Sequence, residues 1–391
     1  MESSRTKVVI IGAGPAGLLL GQLLQKCGID HVILELRSAE YVLSRVRAGV
    51  LEQPTMAALR EAGVATRMDR EGLPMTGFDL MWEDRRAHIN FSLAGKCVMV
   101  YGQTRITEDL MQARQATGGI THYETTNVQP HDFDTEQPWV SYEKDGRQFR
   151  IDCDFIAGCD GHHGVSHKSV PKDRIKTYDF AFPFGWLAIL ADVPPVSEQV
   201  AWINHPDGFV MCSLRSKTRS RYYFQVPVDE DIKAWDADRF WGEYRRRLPT
   251  SLAERLVTGP ALEMSFTPLR STVNTPMRFG RMFLAGDAAH IVPPTGAKGL
   301  NMAIADARRL FEGLKQFYHG GGGHMEQLDS YSDDALARVW KAVRFSWWMT
   351  NLSHRLSDNP FNRQMQLAEL EYISGSVAAQ TTIAENFCGL D

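Results

Sequence analysis

The sequence predicts an α/β protein organised around a dinucleotide-binding parallel sheet. Three strand-end motifs carry that prediction: Gly12 to Gly17, Gly158 to Gly164, and Gly286 to Asn301. Each follows a short apolar run, and each brings glycines to a point where a strand stops and a ligand's phosphates or ring can approach the backbone.

In the first motif a β-branched run ends at Ile11 and enters Gly12-Ala13-Gly14-Pro15-Ala16-Gly17, followed by helical spacing through Leu18, Leu19, Leu20, Leu23 and Leu24. Gly12 permits the sharp turn, Gly14 lets the backbone approach a pyrophosphate, and Gly17 allows the helix to pack closely on the strand. The helix N-terminus adds positive potential for the phosphates. His31 to Leu34 reads as the next strand. Glu35 closes it about twenty residues on, where an acid accepts ribose hydroxyls.

In the second motif Asp154 to Ala157 leads into Gly158-Cys159-Asp160-Gly161. Taken alone, Asp160-Gly161 could be only a turn. In the third, Met282 to Ala285 precedes Gly286-Asp287, where the carboxylate can accept a hydrogen bond from a ligand hydroxyl. Pro294-Thr295-Gly296 then forces a tight turn. Gly296, Ala297 and Gly299 leave amides open to something planar or anionic, which reads as half of a flavin site.

Between the second and third motifs, Phe209 to Arg215 and Arg219 to Val226 flank the polar Ser216-Lys217-Thr218 and predict a hairpin. Alternation places Ser213, Arg215, Arg221 and Tyr223 on one face if Ser213 pairs with Tyr223. Two guanidiniums, a hydroxyl and a phenol can clamp a carboxylate, although a solvated basic face fits the same pattern.

Composition narrows the function classes. The 391 residues are 43% hydrophobic and 23% charged, enough for sizeable cores, and a net charge of -4 gives no nucleic-acid footprint. No apolar run reaches the roughly twenty residues of a membrane span, and Met1 to Lys7 is too polar and short for a secretory leader, so a cytoplasmic location is expected. Six scattered cysteines form no CxxC pair. His162, His163 and His167 lack an accompanying acid at ligand spacing, so no metal is expected.

The three motifs in this order resemble the FAD-dependent, single-component aromatic hydroxylases (the group A flavoprotein monooxygenases). Longer blocks carry the same resemblance: Arg45 to Gln53, Val100 to Thr104, Pro183 to Trp186, Ser216 to Tyr223 and Arg344 to Thr350. It implies a Rossmann-like FAD-binding domain that is interrupted, a β-rich substrate domain and a helical C-terminal part. The corresponding division is 1–178 for the FAD domain, with residues near 75–100 joining the substrate sheet, 179–267 for the substrate domain, and 268–391 for the remainder.

The implied chemistry is oxygenation of an aromatic ring. NADPH or NADH reduces FAD, O2 adds to the reduced flavin, and the C4a-hydroperoxide attacks an electron-rich carbon. By resemblance Gly12, Gly14, Gly17, Glu35, Arg45, Arg47, Gln103, Asp160, Arg221, Asp287, Gly299, Leu300 and Asn301 hold the cofactor. Pro294, Thr295 and Lys298 lie beside the reacting ring, with Lys298 supplying positive potential that favours an anionic reduced flavin. Ser213, Arg215 and Tyr223 take the substrate carboxylate. Val200, Trp202, Met75, Phe387 and Pro294 line the rest of the substrate pocket. His163 and Arg270 match nicotinamide-binding positions. An arginine usual after the strand-end acid is Leu36 here, with Arg37 next and Tyr41 retained, so the choice between NADPH and NADH stays open. A homodimer is implied as well.

Trp202, Phe387 and Met75 also depart from the pattern. Members that hydroxylate 4-hydroxybenzoate carry tyrosine, tyrosine and histidine there, as a proton wire from the substrate phenol. With the wire absent and the carboxylate clamp kept, the expected substrate is an aminobenzoate such as 3-amino-4-hydroxybenzoate or 4-aminobenzoate, activated without losing a proton. The alternative is 4-hydroxybenzoate itself. A flavoprotein reductase or dehydrogenase would share the flavin motifs but need no acid clamp, and a non-catalytic flavin sensor would show no acid-stimulated NAD(P)H oxidation.

Overall fold

Two sheets meet at the site, and a computed structural model describes them through residues 2–44, 49–321 and 323–389. The first is the predicted parallel sheet. Its strand order is Arg278–Phe279, Met282–Leu284, Phe155–Gly158, Val8–Ile11, His31–Leu34 and Thr121–His122, parallel throughout except for the first pair. Val8, Val9 and Ile10 are wholly buried, as a strand covered on both faces requires. The three glycine motifs follow adjacent strands. Gly12 N donates to Leu34 O at 2.7 Å, Cys159 N to Ile11 O at 2.8 Å, and Ala285 N to Gly158 O at 2.9 Å. All three therefore lie at the carboxyl edge of one sheet, where ligands of open α/β sheets bind.

The second sheet has eight strands in the order His290–Ile291, Glu263–Thr275, Lys176–Ala191, Arg219–Pro227, Gly208–Ser216, Ala201–His205, Gly77–Trp82 and Arg85–Asn90. Its neighbours are antiparallel except for the parallel pair Ala201–His205 and Gly77–Trp82. Alternation separates its faces. Leu187, Ile189, Tyr222 and Phe224 pack on Phe240, Trp241 and Tyr244 of the helix Ala237–Arg246. Trp186, Trp202, Phe209 and Tyr223 face the other way, toward Phe345, Met349, Ile373 and Phe387 of the C-terminal helices.

The predicted hairpin forms, with one correction to its register. Ser213 pairs with Arg221, and Tyr223 pairs with Met211. Beside the turn Ser216 pairs with Arg219, and a one-residue irregularity between Leu214 and Ser216 shifts the register, so that from Leu214 back the pairing lies two residues from the expected one. A slip of two residues leaves every side chain on the same face, so the grouping of Ser213, Arg221 and Tyr223 survives.

Two buried histidines brace the sheets as neutral rings. His354 Nε2 accepts from Trp186 Nε1 at 2.7 Å, which leaves Nδ1 to donate to Thr350 O at 3.0 Å. His31 Nδ1 donates to Ile29 O at 2.9 Å, and its Nε2 accepts from the buried Arg114 at 2.8 Å. Burial pushes His354 down to about 3 and His31 down to about 4. Because both folded values lie below the unfolded value of about 6.5, the neutral form is the one that folding favours. Their contribution is fully present above pH 6.5 and is lost as pH falls from there toward 4 and 3, a few kcal/mol for each. Denaturant titrations should therefore show stability falling between pH 6.5 and 5, above the range of ordinary carboxylates, and His354→Gln should flatten that fall.

Candidate active site

The carboxyl edge of the parallel sheet is shaped for a dinucleotide. Gly12 has a φ of +106°, and a Cβ there would sit 2.4 Å from Cys159 O, so the turn is closed to other residues. A Cβ on Gly17 would lie 2.1 Å from Gly12 O. A Cβ on Gly14 would meet nothing within 4 Å, although Gly14 sits at the uncapped N-terminus of the helix Pro15–Lys26. That open space above free helix N–H groups fits a pyrophosphate. Glu35 accepts from Ala13 N at 2.7 Å and from Arg37 N at 2.8 Å, and each carboxylate oxygen keeps a lone pair for a ribose hydroxyl.

The glycines give a paired test. Gly14 has extended backbone, φ -74° and ψ 178°, so Gly14→Ala should leave the stability of the flavin-free protein within about 0.5 kcal/mol while weakening FAD retention. Gly17→Ala should cost about 1–3 kcal/mol or more, because backbone must move. Unfolding of the stripped protein and flavin titration read the two effects separately.

The second and third motifs behave differently from the first. Asp160 Oδ2 accepts from Val165 N, Ser166 N and Ser166 Oγ at 2.6–2.9 Å, so this oxygen caps a turn. Oδ1 is buried without a partner, and burial pushes the carboxyl up despite the bonds from Ser166 and Val165. Asp287 sits in the one-turn helix Gly286–Ala288. Behind it Asp306, completely buried, accepts from Gly286 N at 2.9 Å and pairs with His290 and Arg338, each at 2.6 Å. These partners hold its carboxyl below the usual range against the opposing effect of burial. The signal for this brace in the sequence is an acid set between Ile304 and Ala307 on an apolar helix face.

Pro294, Thr295 and Gly296 form a single 3-10 turn ending at Ala297, whose φ is +53°. Thr295 is buried and accepts from Thr350 Oγ1 at 2.9 Å. The helix Gly299–His319 then begins with no side-chain cap, and a Cβ on Gly299 would meet nothing within 4 Å. Its N–H groups can face a flavin ring.

Lys298 is paired within the protein. Its Nζ donates to Glu52 Oε1 at 2.6 Å and to Phe387 O at 3.0 Å, so a carboxylate already balances its charge. The unopposed positive end at this place is the helix N-terminus. Asn301 is likewise committed. Its side chain accepts from Glu52 N and Thr55 Oγ1 and donates to Val50 O and Ala297 O, which leaves its backbone and that of Leu300 for a ligand. Gln103 opens the helix Gln103–Ala116, and its carbonyl accepts from Thr107 Oγ1. Arg45 and Arg47 lie outside the described residues.

On the sheet, the three residues expected to take a carboxylate lie together. Arg215 donates to Tyr223 Oη at 2.9 Å and to Ser213 Oγ at 3.3 Å. Arg221 pairs across the hairpin with Ser213 and lies over the Tyr223 ring at 5.6 Å, but its hydrogen bonds go to Glu263 at 2.9 Å and Ser265 at 2.8 Å, with Nε buried and unpartnered. Trp202, Phe387, Met75 and Val200 join one apolar cluster with Tyr223 and with Phe78 and Phe91. Phe78 lies 4.7 Å from Trp202 and 5.1 Å from Phe387 between ring centroids. Phe78 alternates with Leu80 and Trp82 along the strand Gly77–Trp82, a pattern in the sequence that marks an inward face.

The nicotinamide candidates fall into two groupings. Arg37 lies over the Tyr41 ring at 5.0 Å. Arg270 pairs with Asp179 at 2.6 Å, near the stacked His162 and His167, and His163 is exposed beside His162. Among the described residues no group of three or more His, Cys, Asp or Glu side chains could hold a metal ion, and no helix is long and apolar enough to cross a membrane.

Comparison with known proteins agrees with this geometry. A family described as an FAD binding domain matches residues 5–346. The chain is 53% identical to the p-hydroxybenzoate hydroxylase of Acinetobacter baylyi over 393 residues, covering 100% of this chain and 96% of that one. It is 25% identical to a 6-hydroxy-3-succinoylpyridine 3-monooxygenase of Pseudomonas putida, over 91% and 88% of the two chains. The crystal structure of a p-nitrophenol 4-monooxygenase from Pseudomonas putida superposes with a TM-score of 0.84 over the whole of both chains at 19% identity, which is a likeness of fold.

Proposed function

The chain belongs to the FAD-binding-domain family as an FAD-dependent aromatic hydroxylase closely related to p-hydroxybenzoate hydroxylase, and from that premise we propose that it hydroxylates 4-hydroxybenzoate beside the para-oxygen. The observation that carries this reading is the Arg215, Ser213 and Tyr223 clamp opening onto an apolar aromatic wall. It suits one small ring with a carboxylate at one end.

The aminobenzoate expected from the lost proton wire gains no support from the comparisons, and the 53%-identical relative favours the hydroxybenzoate alternative. Bound FAD would take electrons from NADPH or NADH and activate dioxygen. The chain's own residues do the rest. Arg215 holds the carboxylate, and Tyr223, accepting from Arg215, keeps its hydroxyl hydrogen for the ligand. Met75, Phe78, Trp202 and Phe387 exclude water from the ring, which keeps activated oxygen from decaying unproductively. The N-terminus of the helix Gly299–His319 offers N–H groups and positive potential to the flavin ring.

We propose the division at residues 178 and 267 as approximate, since both bounds fall inside strands of the eight-stranded sheet, Lys176–Ala191 and Glu263–Thr275. A homodimer would cover the exposed Phe361, Met365 and Tyr372, and a cytoplasmic location suits the absence of membrane-spanning helices among the described residues. Product analysis across 4-hydroxybenzoate, 4-aminobenzoate and 3-amino-4-hydroxybenzoate tests the substrate. The reading expects 4-hydroxybenzoate to give the most hydroxylated acid per NAD(P)H consumed, and a higher yield from either amino acid would reject it.

A further inference from the structure

The indole N–H of Trp202 is the one polar group of the aromatic wall with nothing to bond. Trp202 is 4% exposed, and its Nε1 is buried with no hydrogen-bond partner. Its neighbours are rings: Phe78 at 4.7 Å, Phe387 at 6.1 Å and Phe209 at 6.2 Å. A buried donor left unpaired costs about 1–3 kcal/mol, so such groups in folded proteins call for an explanation, often a missing ligand.

The sheet register says where that ligand would lie. Met211 pairs with Trp202 on one side and with Tyr223 on the other, so all three share a face. Trp202 and Tyr223 are two strands apart, about 10 Å between backbones, with Met211 as the floor between them. Arg215 and Ser213 close the Tyr223 end. A benzoate held there by its carboxylate points its para substituent toward Trp202.

We propose that the Trp202 indole N–H binds the para substituent and selects substrates by requiring a hydrogen-bond acceptor there; this rests on the aromatic-acid reading above. An indole nitrogen donates and never accepts. A phenol or phenolate oxygen satisfies it. An aromatic amine presents its own N–H groups, and its lone pair is drawn into the ring, so it leaves Trp202 unpaired. The tryptophan also takes no proton, so it discriminates between para substituents without relaying charge.

Binding to the FAD-loaded enzyme, followed by the change in flavin fluorescence, tests this with 4-hydroxybenzoate, 4-aminobenzoate and benzoate. The wild type should bind 4-hydroxybenzoate about tenfold more tightly than 4-aminobenzoate. Trp202→Phe, which keeps the ring and removes the N–H, should erase that preference by weakening 4-hydroxybenzoate alone. Equal weakening of all three acids, or a preference that persists in Trp202→Phe, would overturn the inference while leaving the aromatic-acid reading intact. Failure of every acid to bind the wild type would overturn that reading and this inference with it. Trp202→Gln, whose amide donates as well as accepts, should restore part of the preference and separates loss of the N–H from a packing defect.

Discussion

Arg215→Ala is expected to lower kcat/KM for the aromatic acid by about a thousandfold, nearly all of it through KM, while the flavin content stays unchanged. The size follows from the charge. A guanidinium and a carboxylate that meet out of water lose several kcal/mol when one partner is removed, and about 4 kcal/mol is a factor of a thousand. Arg215 is preorganised for the task, because Tyr223 Oη at 2.9 Å and Ser213 Oγ at 3.3 Å fix its orientation before any acid arrives. Arg215→Lys should recover only part of the loss, since an ammonium keeps the charge but lacks the planar fork. Arg215 lies on the eight-stranded sheet, away from the strand ends that shape the dinucleotide site, so bound FAD should be retained. Steady-state kinetics with the flavin absorbance recorded alongside would check both parts, and an unchanged KM would remove the clamp from the account.

The second large effect concerns Lys298 and Glu52. Their side chains are 5% and 14% exposed, and the pair ties the start of the helix Gly299–His319 to Glu52, the residue just before the helix Gln53–Glu61. Lys298→Met leaves a buried carboxylate uncompensated and should cost about 3–5 kcal/mol of unfolding free energy. The double variant Lys298→Met/Glu52→Gln should recover most of that loss, because an uncharged pair carries no unpaired charge into the interior. Denaturant unfolding of the two variants measures the difference. Equal stability of the single and double variants would mean that Glu52 is solvated whenever Lys298 is absent.

Those two sites mark how far the sequence could be read. The dinucleotide edge was legible because its logic is local: β-branched runs, glycines and acids within a few residues of each other locate Gly12, Asp160 and Asp287 at strand ends, and the parallel sheet then lines them up. The grouping of Ser213, Arg221 and Tyr223 was legible because a two-residue slip in register leaves side chains on the same face, whereas Arg215 falls at the irregularity between Leu214 and Ser216 and joins Ser213 and Tyr223 through its hydrogen bonds. The Lys298–Glu52 pair was not, since its partners stand 246 residues apart and no local pattern links them. Asn301 illustrates the same limit. Its position in a flavin motif suggested a ligand contact, yet four long-range and local bonds use its amide within the protein. The loss of titratable groups at Trp202, Phe387 and Met75 was visible in the sequence and pointed to an amine. The unpaired indole N–H, visible only once the chain folds, points back to an oxygen.

The central claim is that a bound flavin and the Arg215 clamp together place one oxygen atom on the ring of 4-hydroxybenzoate. The most direct measurement is incubation of the FAD-loaded enzyme with NADPH or NADH, 4-hydroxybenzoate and isotopically labelled dioxygen, with mass analysis of the acid. The account predicts 3,4-dihydroxybenzoate carrying one labelled oxygen, formed in step with reduced nicotinamide consumed. Unchanged 4-hydroxybenzoate, with all the label in hydrogen peroxide or water, would contradict it.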